Sequence, residues 1–202
     1  FIDFDLFVTA QTNQKFLIEV EELAHKFRQT ADTGTTLPTT HHAVVRLFID
    51  SPKIEDLVRI LHDRINYGIF PDDYCMVYLL NKLLKRKDYK NAAKIASLKM
   101  FQEDFNDDLV KYLSLYSLLK YLLSDEPIDH SNALKPEENE EEPIMVKVRL
   151  IRNSFFDDHF DLTDDLQIFG KTLVMIASKM SGDVANNARI IGLTLREKWD
   201  QL

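Results

Sequence analysis

The sequence predicts an all-α fold: a short α-solenoid of helix-turn-helix repeats, with one short strand and a C-terminal helical hairpin. Three observations point there. Apolar residues recur at three- and four-residue intervals through most of the chain, the spacing that builds one buried stripe on a helix. Glycine and proline are scarce, 5 and 6 in 202 residues, which favours long helices over a loop-rich β fold. A helix pair also registers on the next when the sequence is shifted by 35 residues, as stacked repeats do.

The elements follow in order. Leu17, Val20, Leu23, Ala24 and Phe27 form one stripe on an N-terminal helix, and TADTGTTLPTT, Thr30 to Thr40, is the loop that leads into the first repeat. Val44, Val45 and Phe48 mark the next helix. Ser51 with Pro52 is expected to cap the one after, lined by Ile54, Leu57, Ile60 and Leu61. The turn YGIFPDD, Tyr67 to Asp73, then links this pair to the following one. Pro71 is expected to stop the preceding helix, and Asp72 or Asp73 to cap the next. Ile69 and Phe70, large for a turn, are expected to wedge into the seam between pairs. Met76, Val77, Leu79, Leu80, Leu83 and Leu84 line the next helix. Asp88 can cap its partner, whose Ala92, Ala93 and Ala96 let two axes approach closely.

Shifted by 35, Val44 meets Leu79, Val45 meets Leu80, Phe48 meets Leu83, Ile54 meets Tyr89, Leu57 meets Ala92 and Ile60 meets Ile95. A third copy starts at Leu109 with LVKYLSLYSLLKYLL, where Lys111, Ser114, Ser117 and Lys120 leave a narrow polar strip, so most of its circumference should be covered. The repeats thus occupy 39–73, 74–108 and, in part, 109–124.

The net charge is −8, yet DEPIDHSNALKPEENEEEP, Asp125 to Pro143, holds eight acids and one base. Seven of the eight net negative charges therefore lie in this stretch, and the rest of the chain is near neutral. With almost no apolar content, 125–143 reads as a flexible acidic linker. It separates an N-terminal block, 1–124, from a C-terminal one, 144–202. In the latter, Val146, Val148 and Leu150 alternate with Lys147 and Arg149, a half-buried strand over 145–152 that must find a pairing edge. Phe155, Phe156 and Phe160 read as an apolar anchor. A hairpin closes the chain: Leu166, Phe169, Leu173, Ile176, Ala177 and Met180 on one helix, a Ser181-Gly182 turn, then Val184, Ala188, Ile191, Leu195 and Trp199 on the other. Gly170 and Gly192, costly inside helices, suggest close axis approach or contact with a partner.

A unit of 35 residues built as helix, short turn, helix, and ending Gly68-Ile69-Phe70-Pro71-Asp72, resembles the pentatricopeptide repeat. More narrowly, YGIFPDDYCMVYLLNKLLKRKDYKNAAKIASLKMFQEDF, Tyr67 to Phe105, is similar to the S-twenty-seven family of mitochondrial ribosomal small-subunit proteins, whose members carry a similar YGIFPD turn, leucine-rich helix and Tyr-Lys-x-Ala hairpin. The resemblance implies a structural role in the mitochondrial matrix, with the small-subunit ribosomal RNA and other small-subunit proteins as partners. In base-reading repeats of this kind, a polar residue of the first helix and the last residue of the unit do the reading. Here those positions hold Ala43 with Asp73 and Tyr78 with Asp108, a poor set for reading base edges.

Backbone contact has better support. From Lys82 to Lys99 stand seven bases, Lys82, Lys85, Arg86, Lys87, Lys90, Lys94 and Lys99, with one acid, Asp88. Phosphate binding needs cations clustered without intervening carboxylates, so Lys82, Lys85, Arg86, Lys87, Lys90 and Lys94 are the candidate RNA-binding residues.

Catalytic signals are missing: there is no Gly-rich phosphate loop, nucleophile elbow or HExxH helix. Cys75, the single cysteine, has no His-Asn pair beside it in sequence, rules out an internal disulfide and suits a reducing compartment. His41 and His42 adjoin a helix start, where capping or exposure is the default. Asp157, Asp158, His159 and Asp161 fit neither a calcium loop nor a helical zinc pair. No enzyme activity, cofactor, metal or small-molecule substrate is expected. The apolar runs fall far short of a membrane span, so no membrane partner is expected either. The chain begins at Phe1, which suggests a piece of a longer protein with any targeting peptide outside it.

Three readings follow: an architectural subunit of the mitochondrial small ribosomal particle, a free mitochondrial RNA-binding pentatricopeptide-repeat protein, and a pure protein–protein helical-repeat scaffold. The first is favoured. The basic run and the Gly-Ile-x-Pro-Asp turn speak against the third, and the shortage of base-reading residues against the second.

Overall fold

A computed structural model describes residues 2–11, 14–51, 53–124, 162 and 164–202, and among them every regular element is helical. In chain order these are α1 (Ile2–Ala10), α2 (Leu17–Arg28), α3 (Pro38–Ile49), α4 (Ile54–His62), α5 (Asp73–Lys85), α6 (Tyr89–Phe101), α7 (Asp108–Leu122), α8 (Asp165–Ser178) and α9 (Asp183–Leu195). Short 3-10 turns lie at Gln14–Phe16, Ala31–Thr35 and Trp199–Gln201. The chain divides into two compact units, Phe1–Asp125 and Glu126–Leu202. The expected acidic linker, the strand over 145–152, the Phe155–Phe156–Phe160 anchor and the Asp157–Asp161 cluster lie outside the described residues.

In the first unit, α3, α5 and α7 start at Pro38, Asp73 and Asp108, each 35 residues after the last, and α4 and α6 start at Ile54 and Tyr89, the same interval apart. The packing has the same regularity. α3 lies against α4 and α5, α5 against α6 and α7, and α4 against α6. Of the residues that register under the shift, Val44, Val45, Phe48, Leu79, Leu80 and Leu83 on α3 and α5, and Ile54, Leu57, Ile60, Ala92 and Ile95 on α4 and α6, are buried, while Tyr89 is half-buried. Ala92, Ala93 and Ala96 are all fully covered on α6, which touches α4, α5 and α7; small side chains let one helix serve three neighbours. Each buried Val, Leu or Ile contributes roughly 1.5–3 kcal/mol before entropy is charged against it.

Local signals set the helix starts. Asp72, Asp88 and Asp107 occupy cap positions, and their carboxylates accept from the backbone N–H of Cys75 (2.8 Å), Asn91 (3.1 Å) and Val110 (2.8 Å). Such caps contribute about 1 kcal/mol each. Asp72 and Asp107 are the same cap one period apart.

Some expectations are corrected. Ser51 does not cap α4 by itself: its hydroxyl donates to Phe48 O at 2.7 Å and accepts from Lys53 N–H at 3.1 Å, stitching the end of α3 to the start of α4. Nor does Pro71 end α4, which stops at His62. An extra turn follows, closed by Tyr67 N–H to Asp63 O and Gly68 N–H to Arg64 O. Gly68 is needed at its φ of 61°, and a Cβ there would lie 2.8 Å from Arg28 Cδ. Ile69 is buried as expected, but Phe70 stays 42% exposed, with its ring edge-on to His41.

On α7 the polar strip faces inward. Lys111, Ser114 and Ser117 are buried while Leu109, Tyr112 and Tyr116 are exposed. The reason is size and pairing. Ser117 returns its hydroxyl to Leu113 O at 2.7 Å and Lys111 binds Asp108 at 2.6 Å, so neither needs water, and the serines let α5 and α6 come close. α1 has no counterpart among the elements expected from the sequence. Its Phe4 and Val8 are buried, and Phe4 stacks on Phe27 of α2 with centroids 5.1 Å apart.

Among the described residues of the second unit, α8 and α9 form a hairpin, turned at Gly182 with φ 94°. Gly170 and Gly192 do mark a close approach: a Cβ at Gly170 would sit 2.8 Å from Gly192 O, and one at Gly192 would sit 2.6 Å from Gly170 O. This contact turns α9 so that Ala185, Ala188, Gly192 and Leu193 are buried. The expected face is corrected accordingly. Val184, Ile191 and Trp199 are exposed, Trp199 by 63%. Side-chain size, not hydropathy, chose the packed stripe.

Candidate nucleic-acid interface

The candidate site is built on the α5–α6 hairpin. α5 ends with Lys87 N–H bonded to Leu84 O and Asp88 N–H to Leu83 O, with Lys87 at φ 61°. This is a Schellman closure, in which a left-handed residue turns the chain sharply away from the helix end. Lysine at that position costs about 1 kcal/mol relative to glycine, and its side chain is held at the tip of the hairpin. Lys85, Arg86 and Lys87 are all exposed there. The one acid of the run, Asp88, is occupied by the α6 cap, with Oδ1 on Asn91 N–H and Oδ2 on Asn91 Nδ2 at 2.7 Å. Three exposed cations thus share this tip with one carboxylate, hydrogen-bonded in the cap but still charged, so the tip is net positive.

The other predicted bases fall elsewhere. Lys82 does not join the tip. Its Nζ donates to Ile49 O at 2.6 Å and pairs with Asp50 at 3.3 Å, placing a cation on the C-terminal carbonyls of α3. Lys90 and Lys94 lie half-buried on α6. Lys99, outside the predicted set, is 3% exposed and bridges Asp73 and Asp104 in the groove beneath YGIFPDD.

The candidate base-reading positions are engaged within the chain. Asp73 is bound by Lys99 and Asp108 by Lys111, and the Tyr78 hydroxyl donates to Asp50 Oδ1 at 2.8 Å. That bond, with Lys82 beside it, holds the Asp50 carboxyl below its usual range.

Sequence reading missed a second surface. The Arg46 guanidinium lies 5.6 Å from the ring centroids of both Tyr74 and Tyr78 and donates to the Tyr74 hydroxyl at 3.1 Å. One repeat on, on α7, Lys111 lies over Tyr112 and Lys120 over Tyr116 at 5.8 and 5.6 Å. Tyr74, Tyr112 and Tyr116 expose ring surface beside cations, a combination suited to stacking with bases or with a partner's side chains. The signal in the sequence was the set of tyrosines beside basic residues on α7, Lys111 with Tyr112 and Tyr116 with Lys120, which the apolar pattern alone does not single out.

Among the described residues no helix is long and apolar enough to cross a membrane. Comparison with family profiles gives a match over residues 1–202 to the family described as Mitochondrial 28S ribosomal protein S27. With the YGIFPDD turn and the helix pairs at a 35-residue interval already in place, this full-length match decides the assignment: the chain belongs to the mitochondrial 28S ribosomal protein S27 family, and is a mitochondrial small-subunit ribosomal protein.

Proposed function

We propose that this chain is a structural component of the small subunit in the mitochondrial matrix, supporting translation by contacting rRNA phosphates and neighbouring small-subunit proteins. Ribosomal-protein families are typically structural rather than enzymatic, which accords with this reading. Its helices would form pentatricopeptide-type units over 39–73, 74–108 and part of 109–124, an acidic linker at 125–143 would follow, and 144–202 would be a second domain. The 35-residue interval between helix starts supports the first part. The observation that carries the RNA contact is the α5–α6 tip, where Lys85, Arg86 and Lys87 are exposed and Asp88 is tied into a cap. Lys90 and Lys94, half-buried on α6, carry less of the contact. The exposed Leu109, Tyr112 and Tyr116 on α7 support contact with a protein neighbour.

The test is the triple change Lys85→Glu, Arg86→Glu, Lys87→Glu, read by co-sedimentation with the small subunit over a salt series. Lys82 is left intact because its loss would damage the α3–α5 contact. Release at lower salt is expected, with the salt slope reduced by about one for every phosphate that is no longer neutralised. Unchanged association and slope would refute phosphate contact at this tip.

A further inference from the structure

Tertiary packing brings Cys75, in the first turn of α5, against His42 of α3 and the cap residue Asp72. His42 Nδ1 lies 2.7 Å from Asp72 Oδ2 and 3.5 Å from Cys75 Sγ, and one donor atom from each residue falls within 4.8 Å of the others. A nucleophile–base–orienter triad is excluded by this geometry. There the thiol and the carboxylate meet opposite ring nitrogens; here both meet Nδ1. Burial and the neighbouring Asp72 also push the Cys75 thiol up to about 12, so it is a thiol rather than a ready nucleophile.

We propose that His42 Nδ1, Asp72 Oδ2 and Cys75 Sγ form a zinc site with the fourth position open to solvent. The donor set is one imidazole, one carboxylate and one thiolate, which suits zinc and disfavours calcium or magnesium. Two anionic ligands balance the 2+ charge. Tetrahedral bonds of about 2.0–2.3 Å place ligand atoms roughly 3.2–3.7 Å apart, and the 3.5 Å between His42 and Cys75 already fits. The His42–Asp72 separation must open by about half an ångström, which two partly exposed side chains can allow.

Both ends of the site are braced. Asp72 Oδ1 is anchored on Cys75 N–H at 2.8 Å, leaving Oδ2 for the metal, and the His42 ring lies against Tyr74 with centroids 5.7 Å apart. Arg46, the nearby guanidinium, is held over Tyr74 and Tyr78. On binding, the thiol proton leaves to solvent and His42 ligates through Nδ1 with its remaining proton on Nε2, so at least one proton is released per ion.

Titration of the purified, reduced chain with Co²⁺ and then Zn²⁺ tests this. Cobalt should give a thiolate-to-metal charge-transfer band that saturates at one ion per chain and is abolished by zinc. Calorimetry in two buffers should report at least one proton released. Cys75→Ser should remove the band. His42→Ala and Asp72→Asn should each weaken zinc at least tenfold, and asparagine keeps the helix cap, so folding is preserved. Cobalt binding without a thiolate band, or equal zinc affinity in the wild type, Cys75→Ser and His42→Ala, would overturn the site.

Discussion

Gly192→Ala gives the sharpest test of the second unit, because two physical effects predict opposite signs. Within a helix, alanine is favoured over glycine by about 1 kcal/mol, so propensity alone predicts a more stable protein. The structure predicts the reverse. The new methyl would sit 2.6 Å from Gly170 O, 2.8 Å from Val174 Cγ2 and 3.1 Å from Leu173 Cβ. Ordinary contact needs about 3.4 Å or more, so α9 must retreat from α8 by roughly 0.8 Å, and the first obstacle is backbone that no rotamer change can move. Overpacking of this kind costs about 1–3 kcal/mol and more against rigid groups. Set against the propensity gain, the net effect is a loss of up to about 2 kcal/mol, or a Tm lower by up to roughly 15 °C for a unit of this size. Thermal unfolding followed by circular dichroism and by Trp199, the chain's single tryptophan, reads it directly. Gly170→Ala should act similarly, and the double variant should lose less than the sum, since both methyls force the same separation. A rise in Tm for Gly192→Ala would refute the close approach of the two helices.

Three further outcomes are expected. Ser114→Ala should stabilise the first unit by about 1 kcal/mol, seen in the urea midpoint, because Ser114 Oγ is buried without a hydrogen-bond partner. Lys87→Gly should raise Tm by a few degrees, relieving a left-handed lysine at φ 61°, while weakening subunit association in the salt series; stability and binding would then move in opposite directions. Glu21 is partly buried, which raises its pKa, but bonds from Arg59 at 2.7 Å and the Tyr67 hydroxyl at 2.8 Å outweigh this and hold it below the usual glutamate range. A folded-state pKa below the unfolded one contributes stability above the unfolded value, lost as the pH falls through the folded one. The stability difference between the wild type and Glu21→Gln should therefore shrink between about pH 6 and pH 3; a constant difference would refute the linkage.

The candidate surface illustrates how charge and stability are shared within one short run. Lys82 and Lys99 are drawn into the packing by Asp50, Asp73 and Asp104, which leaves Lys85, Arg86 and Lys87 facing outward. In sequence the seven bases look equivalent. They are told apart by acids that arrive from other helices and turns, Asp50 from 32 residues before Lys82, and a linear pattern does not show which base each acid will meet.

The chain's own residues determined the helices, their caps and their 35-residue interval, because these depend on side-chain spacing along one backbone and on bonds spanning three residues, as at Asp72, Asp88 and Asp107. The nearness of Gly170 and Gly192 was also legible, since glycine inside a helix has a cost that only a close neighbour offsets. Tertiary structure alone decided which face of α7 and α9 is covered, where steric fit overruled hydropathy. It also decided that His42, thirty-three residues before Cys75, shares a corner with it. Long-range pairing depends on how helices stack in space, and a periodic sequence repeats the stacking rule without recording which polar groups the stack will bring together.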